Sequence, residues 1–192
     1  MIETAIYFLT IIGLAFFTGI VVKTADYLED TKKDKNKIKL ISIGTTYGLL
    51  IFLMAYYFPI IAPICLGTIL GLILFGKIDK ISHRVATTIA ILLTLILLPQ
   101  AINILLAFFV IVNIFEEVIN DYFDKHKLKN KILHQLATSR PLLEISALAV
   151  SIFLWRWEIF IAMIFFDIAY LTVTKYENKK IKQKLNKKLN KK

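Results

Sequence analysis

Three polar segments of the sequence each carry two ionisable residues four positions apart. In chain order they are Asp26 with Asp30, Asp79 with His83, and Glu117 with Asp121. On a helix this spacing places both side chains on one face. Two carboxylates, or a carboxylate and an imidazole, can then chelate one divalent cation, and an ion held in this way commonly bridges to phosphate oxygens of a substrate.

The pairs divide into predicted metal ligands and predicted acid–base groups. We assign Asp26, Asp30, Glu117 and Asp121 to a site for Mg²⁺ or another divalent cation, and Asp79, His83 and Glu117 to catalysis. Four cations near the pairs are predicted to bind substrate phosphate: Lys23, Lys77, Arg84 and Arg140. The pattern implies no organic cofactor. It predicts a membrane-embedded, metal-dependent enzyme that acts on a lipid or prenyl phosphate at the cytoplasmic membrane face.

Each pair also has a purely structural interpretation. Asp26 and Asp30 could belong to a solvated helix extension whose charge the neighbouring lysines balance. Asp79 could be the N-cap of the helix that carries His83, because a carboxylate there accepts hydrogen bonds from the first free backbone N–H groups. Glu117 could be a charge at the membrane interface. The chemistry therefore depends on whether the three pairs converge in the fold.

The composition is that of a membrane protein. Of the 192 residues, 57% are hydrophobic and only 20% are charged, and the mean hydropathy is +0.67. The single cysteine, Cys65, excludes an internal disulfide. The net charge of +10 comes mostly from lysine, whereas nucleic-acid readers favour the arginine fork. The charge therefore indicates attraction to anionic lipid headgroups and no nucleic-acid partner.

The uncharged runs predict an all-α bundle of seven transmembrane helices. Residues 4–22 have the length that crosses the hydrocarbon core once. Three longer segments each fit two spans: the uncharged runs 40–75 with a bend near Pro59 and 85–115 with a bend near Pro99, and the mostly apolar segment 142–175 with a turn at 155–158. The middle run is short for two spans, so either its helices extend into the flanking polar residues, which we favour, or the pair is partly re-entrant.

The basic residues predict the orientation of these spans. All but Arg156 of the 24 lysines and arginines lie in 23–39, 77–84, 125–140 and 175–192, the segments that follow spans one, three, five and seven. Lysine and arginine favour the cytoplasmic side. The N-terminus is therefore predicted outside and the C-terminus in the cytoplasm. The chain is predicted to be a multi-pass cell-membrane protein with a transmembrane domain at 1–175 and a basic cytoplasmic tail at 176–192.

Two other functions fit the same sequence. A noncatalytic membrane subunit or scaffold would use the basic inner face to bind a soluble partner or anionic lipid. A small-solute transporter would use polar residues inside the spans, namely Asp167, Asn103 and Asn113, to line a path. The sequence contains no HExxH, GxSxG, Walker or CxxC motif that would decide between these classes.

Overall fold

The architecture is an all-α helix bundle. The computed structural model describes residues 2–30, 36–126 and 141–189, and within these ranges the chain forms seven α-helices and no β-strand. The helices are α1 (Ile2–Asp30), α2 (Lys37–Tyr57), α3 (Ala62–Leu74), α4 (Ile81–Leu97), α5 (Ile104–Lys125), α6 (Pro141–Leu154) and α7 (Glu158–Leu189). The all-α class predicted from the sequence is confirmed.

Three of these helices are long and apolar enough to cross a membrane. They are α1, α2 and the Glu158–Lys179 part of α7, whereas α3, α4 and α6 are shorter apolar helices. Large apolar side chains such as Leu9, Phe17 and Ile96 remain exposed on the outside of the bundle. Many exposed large apolar side chains are unfavourable in water and favourable in lipid. The chain is therefore suited to membrane association.

The helices continue beyond the uncharged runs into polar sequence. Helix α1 ends at Asp30, well past the uncharged run of residues 4–22. Helix α4 begins at Ile81 and α5 ends at Lys125, so both helices of the short 85–115 run extend into the flanking polar residues. This extension, expected from the sequence, is confirmed. It carries the predicted site residues at or near the helix ends.

Two proline turns of the same form reverse the chain. Pro59 and Pro99 each open a 3₁₀ turn, and the preceding residues have nearly the same backbone angles: φ −130°, ψ 74° at Phe58 and φ −135°, ψ 58° at Leu98. Proline suits this position because it has no N–H to leave unpaired in the first turn of a helix. Both predicted bends are confirmed.

Two other helices end with a left-handed residue. Gly76 follows α3 with φ 65°, and Trp155 follows α6 with φ 53°. In each case the next amide reaches back five residues, from Lys77 to Leu72 and from Arg156 to the carbonyl of Ser151. This hydrogen-bond pattern closes the last helical turn. It fixes the start of residues 77–84, which matter for the site described below.

Helices α2 and α4 cross closely and run in the same direction. A Cβ on Gly44 would lie 2.4 Å from the Ser82 carbonyl oxygen, and one on Gly48 would lie 2.7 Å from that of Ala86. The spacing of four residues on both helices shows that they are parallel. Small residues at this spacing let membrane helices approach until their backbones touch.

The same kind of contact joins two further pairs of parallel helices. Gly67 of α3 lies against Phe109 of α5, and Gly71 lies against Asn113 one turn later. Gly19 of α1 lies against the backbone of Phe166 in α7. The three most extensive helix contacts in the bundle are thus α1 with α7, α2 with α4 and α3 with α5.

These pairings bring polar helix ends together at one end of the bundle. We call this the charged end and define it by residues 23–30, 36–39, 77–84 and 116–125. At the opposite end Tyr7 donates a hydrogen bond to Glu158, and its ring packs on Phe58. Between the two ends lies an apolar core that includes Ile11, Phe109 and Leu143.

Candidate functional site at the charged end

Residues 77–84, the turn between α3 and α4 with the first residues of α4, connect the acidic ends of α1 and α5. Lys77 reaches α5, whereas Lys80, Ser82 and His83 all reach α1. Each of the three predicted pairs contributes at least one side chain to these contacts or to the turn itself. The three pairs therefore meet along residues 77–84. The sequence alone did not reveal that this segment contacts both α1 and α5.

The centre of this arrangement is an aspartate–histidine pair. The Asp26 Oδ1 lies 2.8 Å from the His83 Nε2, and the other ring nitrogen, Nδ1, lies 2.6 Å from the Tyr47 hydroxyl. The Asp26 and His83 side chains are only 15% and 19% exposed. A carboxylate accepts hydrogen bonds, so Nε2 carries a proton, and Nδ1 shares a hydrogen bond with the Tyr47 hydroxyl. The pair joins α1, α2 and α4.

A fourth helix joins the network through tyrosine. The Tyr170 hydroxyl of α7 donates to Asp26 Oδ2 at 2.7 Å and accepts from the Lys23 ammonium at 3.1 Å. Lys23 also lies over the Tyr170 ring, 4.5 Å from its centroid, and 3.6 Å from Asp26 Oδ2. We call Lys23, Asp26, Tyr47, His83 and Tyr170 the Asp26 network. Each of the five side chains forms at least one hydrogen bond within it.

The surroundings of Asp26 favour its charged form. Burial alone would raise the pKa of Asp26, but hydrogen bonds from His83 and Tyr170 and the nearby Lys23 charge outweigh burial and lower that pKa to about 2. Asp26 lies one helical turn beyond the uncharged run of α1. A permanent carboxylate here is consistent with the conformation of His83 and Tyr170, since both point a hydrogen at it.

Glu29 and Asp30 also bind residues 77–84. Glu29 accepts hydrogen bonds from the Ser82 hydroxyl at 2.6 Å and from the Ser82 backbone N–H at 3.3 Å. It therefore caps the first turn of α4 from a neighbouring helix. Asp30 forms a salt bridge of 2.7 Å with Lys80 and is 56% exposed.

The predicted helix-face pair of Asp79 and His83 does not form. Helix α4 begins at Ile81 and Lys80 occupies its N-cap position, so Asp79 lies in the preceding turn with an exposed side chain. Asp79 is therefore not the N-cap either. The role of the cap is taken by Glu29, which the sequence did not suggest. The catalytic role predicted for Asp79 is not tested by this position.

Glu117 and Asp121 share one lysine. The Lys77 ammonium lies 2.5 Å from Asp121 Oδ1 and 3.6 Å from Glu117 Oε2. Glu117 is almost fully buried, whereas Asp121 is 40% exposed. The hydrogen bond to Asp121 raises the pKa of Lys77, although burial offsets part of the effect. The spacing of Glu117 and Asp121 on one helix face is confirmed, and both carboxylates contact Lys77.

Each predicted metal ligand already contacts a protein group. Asp26 is hydrogen-bonded to His83 beside Lys23, Asp30 pairs with Lys80, and Glu117 and Asp121 share Lys77. In residues 2–30, 36–126 and 141–189 no three His, Cys, Asp or Glu side chains lie close enough together to hold a metal ion. This arrangement fits lysine and histidine as partners better than it fits a divalent cation. The metal site stays a prediction.

The predicted phosphate-binding cations fall in different places. Lys23 belongs to the Asp26 network and Lys77 to the Glu117–Asp121 contact. Arg84 is exposed and donates through Nε only to the Ile78 carbonyl, at 3.4 Å. Arg140 lies outside the described residues. Of the three cations that the structure describes, Arg84 is thus the one whose side chain could contact a ligand with little rearrangement.

The polar residues of α5 and its N-cap make contacts that the sequence did not indicate. Glu116 is fully buried, and its Oε2 accepts the Leu143 backbone N–H at 2.7 Å, so it caps α6 as Glu29 caps α4. Asn113 is also fully buried, and neither side-chain amide atom has a hydrogen-bond partner among the described residues. Asn103, assigned to a transport path, instead caps α5 by accepting from the Leu105 and Leu106 backbone N–H groups.

The residues that sequence reasoning missed are those that act between helices. Tyr47, Tyr170, Glu29 and Ser82 complete the site, yet none lies at a metal-ligand or catalytic spacing. Tyrosine is common near membrane interfaces for reasons unrelated to chemistry. The sequence drew attention only to the neighbourhood of Tyr170, which lies three residues after Asp167, the acidic residue inside the last predicted span.

No known protein family, curated protein or solved structure matches the chain.

Proposed function

We propose that the chain spans the membrane seven times, with the N-terminus outside and the charged end in the cytoplasm. Support comes from the parallel pairing of α1 with α7, α2 with α4 and α3 with α5, which an alternating seven-helix path requires. The basic residue at the other end, Arg156, is neutralised by Glu158 at 2.8 Å. The charged end therefore holds nearly all of the uncompensated positive charge, as cytoplasmic faces do.

We further propose that the charged end binds the phosphate headgroups of anionic lipids. One observation supports this most: Asp26, Asp30, Glu117 and Asp121 contact cations within the protein, while several exposed cations form no ion pair. Among the described residues, the exposed cations that form no ion pair are Lys37, Arg84 and Lys125 at the charged end, and Lys175 and Lys179 further along α7. Each basic residue near an anionic leaflet contributes about 1 kcal/mol of attraction. The protein is thus a membrane subunit with a rigid cationic face.

This function predicts that anionic lipid stabilises the folded protein. Phosphatidylglycerol added to the protein in neutral detergent should raise its melting temperature, because a ligand that binds only the folded state stabilises it by mass action. Phosphatidylcholine with the same acyl chains is the control and should have little effect. The difference should shrink at high salt, because exposed charges are screened. Equal shifts with both lipids would contradict the proposal.

The Asp26–His83 pair supports a second candidate, an enzyme that acts on a lipid or prenyl phosphate. A carboxylate that orients an imidazole is a common acid–base arrangement. His83 Nδ1, however, already shares a hydrogen bond with Tyr47, which is 3% exposed. His83 could act as a base only after Tyr47 moves away. The network as it stands is better suited to holding four helices together than to proton transfer with a substrate.

A phosphate-release assay separates the two candidates. Under the enzyme hypothesis the purified protein releases phosphate from some member of a panel of lipid and prenyl phosphates, with Mg²⁺ present and not with EDTA. His83→Gln should then abolish release, whereas His126→Gln, at an exposed histidine, should not. Our proposal of a noncatalytic face predicts no release above background from any substrate. Mg²⁺-dependent release that is lost only in His83→Gln would favour the enzyme.

A further inference from the structure

A groove opens between α1 and α2 beside the Asp26 network. Its volume is about 690 Å³, within the range of roughly 300–1,000 Å³ usual for sites that bind small ligands. The lining residues are Val21 and Thr24 of α1 and Asn36, Ile38, Lys39, Ser42, Ile43 and Thr46 at the start of α2. The groove is therefore polar at the charged end and continues along the two helices towards the apolar part of the bundle.

The groove presents its polar groups along one face of α2. Lys39, Ser42 and Thr46 follow one another at intervals of three and four residues, so they lie on one side of the helix. Seven residues of helix rise by about 10 Å. Thr46 donates its hydroxyl hydrogen to the Ser42 carbonyl, and Thr24 donates to that of Ile20. The groups placed to donate to an anion are consequently those nearest the charged end.

The floor of the groove is apolar and rigid. Val21 and Ile43 pack against a buried cluster of Ala25, Tyr47 and Ala86. Tyr47 in the same cluster is hydrogen-bonded to His83 of the Asp26 network. An occupant of the groove would therefore lie one layer of side chains away from the network and would not need to displace it.

The level of the groove in the bilayer favours a lipid as its occupant. Lys23 ends the uncharged run of α1, and Lys39 precedes that of α2, so the polar part of the groove lies at headgroup depth. Ile38, at the edge of the groove, is 80% exposed. A cation and a hydroxyl at headgroup depth, followed towards the apolar part of the bundle by Val21 and Ile43, match a phosphate joined to an acyl chain.

We propose that this groove is a specific site for an anionic phospholipid of the cytoplasmic leaflet, with its phosphate near Lys39 and Ser42 and the start of an acyl chain along Val21 and Ile43. The proposal rests on the lipid-binding function inferred above and names the place where one lipid is held. It separates this lipid from the diffuse attraction that the other exposed lysines exert.

Two substitutions in the groove and one outside it test the site. Lys39→Gln removes the cation, and Ser42→Leu fills the groove with a larger apolar side chain. Lys37→Gln is the matched control, because it removes the same charge at a position two residues away that does not line the groove. Lys37 and Ser42 are exposed, so their substitution should change the melting temperature without lipid little. Lys39 also interacts within the protein, so the lipid-induced shift of each variant is measured from its own melting temperature without lipid. The probe is phosphatidylglycerol titrated into protein in neutral detergent.

The site predicts that Lys39→Gln needs about tenfold more phosphatidylglycerol than the wild type for half of the maximal shift in melting temperature, since a hydrogen bond to a charged group has about that effect. Ser42→Leu should respond similarly, and Lys37→Gln should resemble the wild type. Equal losses in Lys37→Gln and Lys39→Gln would overturn the groove and leave the lipid-binding function standing. No response in the wild type would overturn both. Equal stabilisation by glycerol phosphate would exclude the lipid as the occupant.

Discussion

Replacing Asp26 by asparagine should lower the free energy of unfolding by about 2 kcal/mol. The pKa of Asp26 is lowered from 3.8 to about 2 in the folded protein, and each pKa unit corresponds to about 1.4 kcal/mol. An asparagine can accept from His83 or from Tyr170 but cannot present two carboxylate oxygens to both, and it leaves Lys23 without its anion. Denaturant unfolding in detergent micelles measures the loss.

Asp30→Asn is the matched control, because Asp30 forms a salt bridge to Lys80 but is 56% exposed. Exposed ion pairs contribute at most about 1 kcal/mol, so this variant should lose much less stability. The sign of the pH dependence follows from the lowered pKa: the contribution of Asp26 is complete above pH 4 and is lost as the pH falls towards 2. Equal effects of the two substitutions would show that the Asp26 network does not hold the charged end together.

Gly44→Ala should also destabilise the bundle, by about 1–3 kcal/mol. The added Cβ would lie 2.4 Å from the Ser82 carbonyl oxygen, so α2 and α4 must move apart. The movement would also disturb the neighbouring Ser82–Glu29 and His83–Asp26 hydrogen bonds. The same unfolding measurement applies.

Gly13→Ala is the control for Gly44→Ala, because no loss of stability is expected at this position. No atom lies within 4 Å of a Cβ added at Gly13 in α1. Alanine is favoured over glycine inside a helix by up to about 1 kcal/mol, so this variant should be as stable as the wild type or more stable. A stabilising Gly44→Ala would show that α2 and α4 do not touch at this crossing.

The features that could be predicted from the sequence are those that depend on residues close to one another along the chain. The bends at Pro59 and Pro99 and the extension of α4 and α5 into polar sequence follow from chain-local rules of hydrophobicity and proline geometry. The shared helix face of Glu117 and Asp121 follows from helical periodicity alone. Each needs only the order of residues along one segment.

The features that could not be predicted depend on which helices are neighbours. Tyr170 lies 144 residues after Asp26, and nothing in the sequence connects them. The pair of Asp79 and His83 was wrong as a helix-face pair because the start of α4 is set by Glu29 on another helix, and local spacing cannot reveal that cap. Asp26, Asp30, Glu117 and Asp121 contact lysine, histidine and tyrosine side chains that lie on other parts of the chain, and local spacing could not reveal those partners.

Cysteine labelling on the two sides of α4 tests the membrane orientation on which the lipid-binding function depends. Asp79 and Gln100 are exposed and flank α4. In a Cys65→Ala background and in sealed right-side-out vesicles, a membrane-impermeant maleimide should label Gln100→Cys. It should label Asp79→Cys only after the vesicles are opened. Labelling of Asp79→Cys in sealed vesicles, or of both cysteines from the same side, would contradict a cytoplasmic charged end and with it the proposed function.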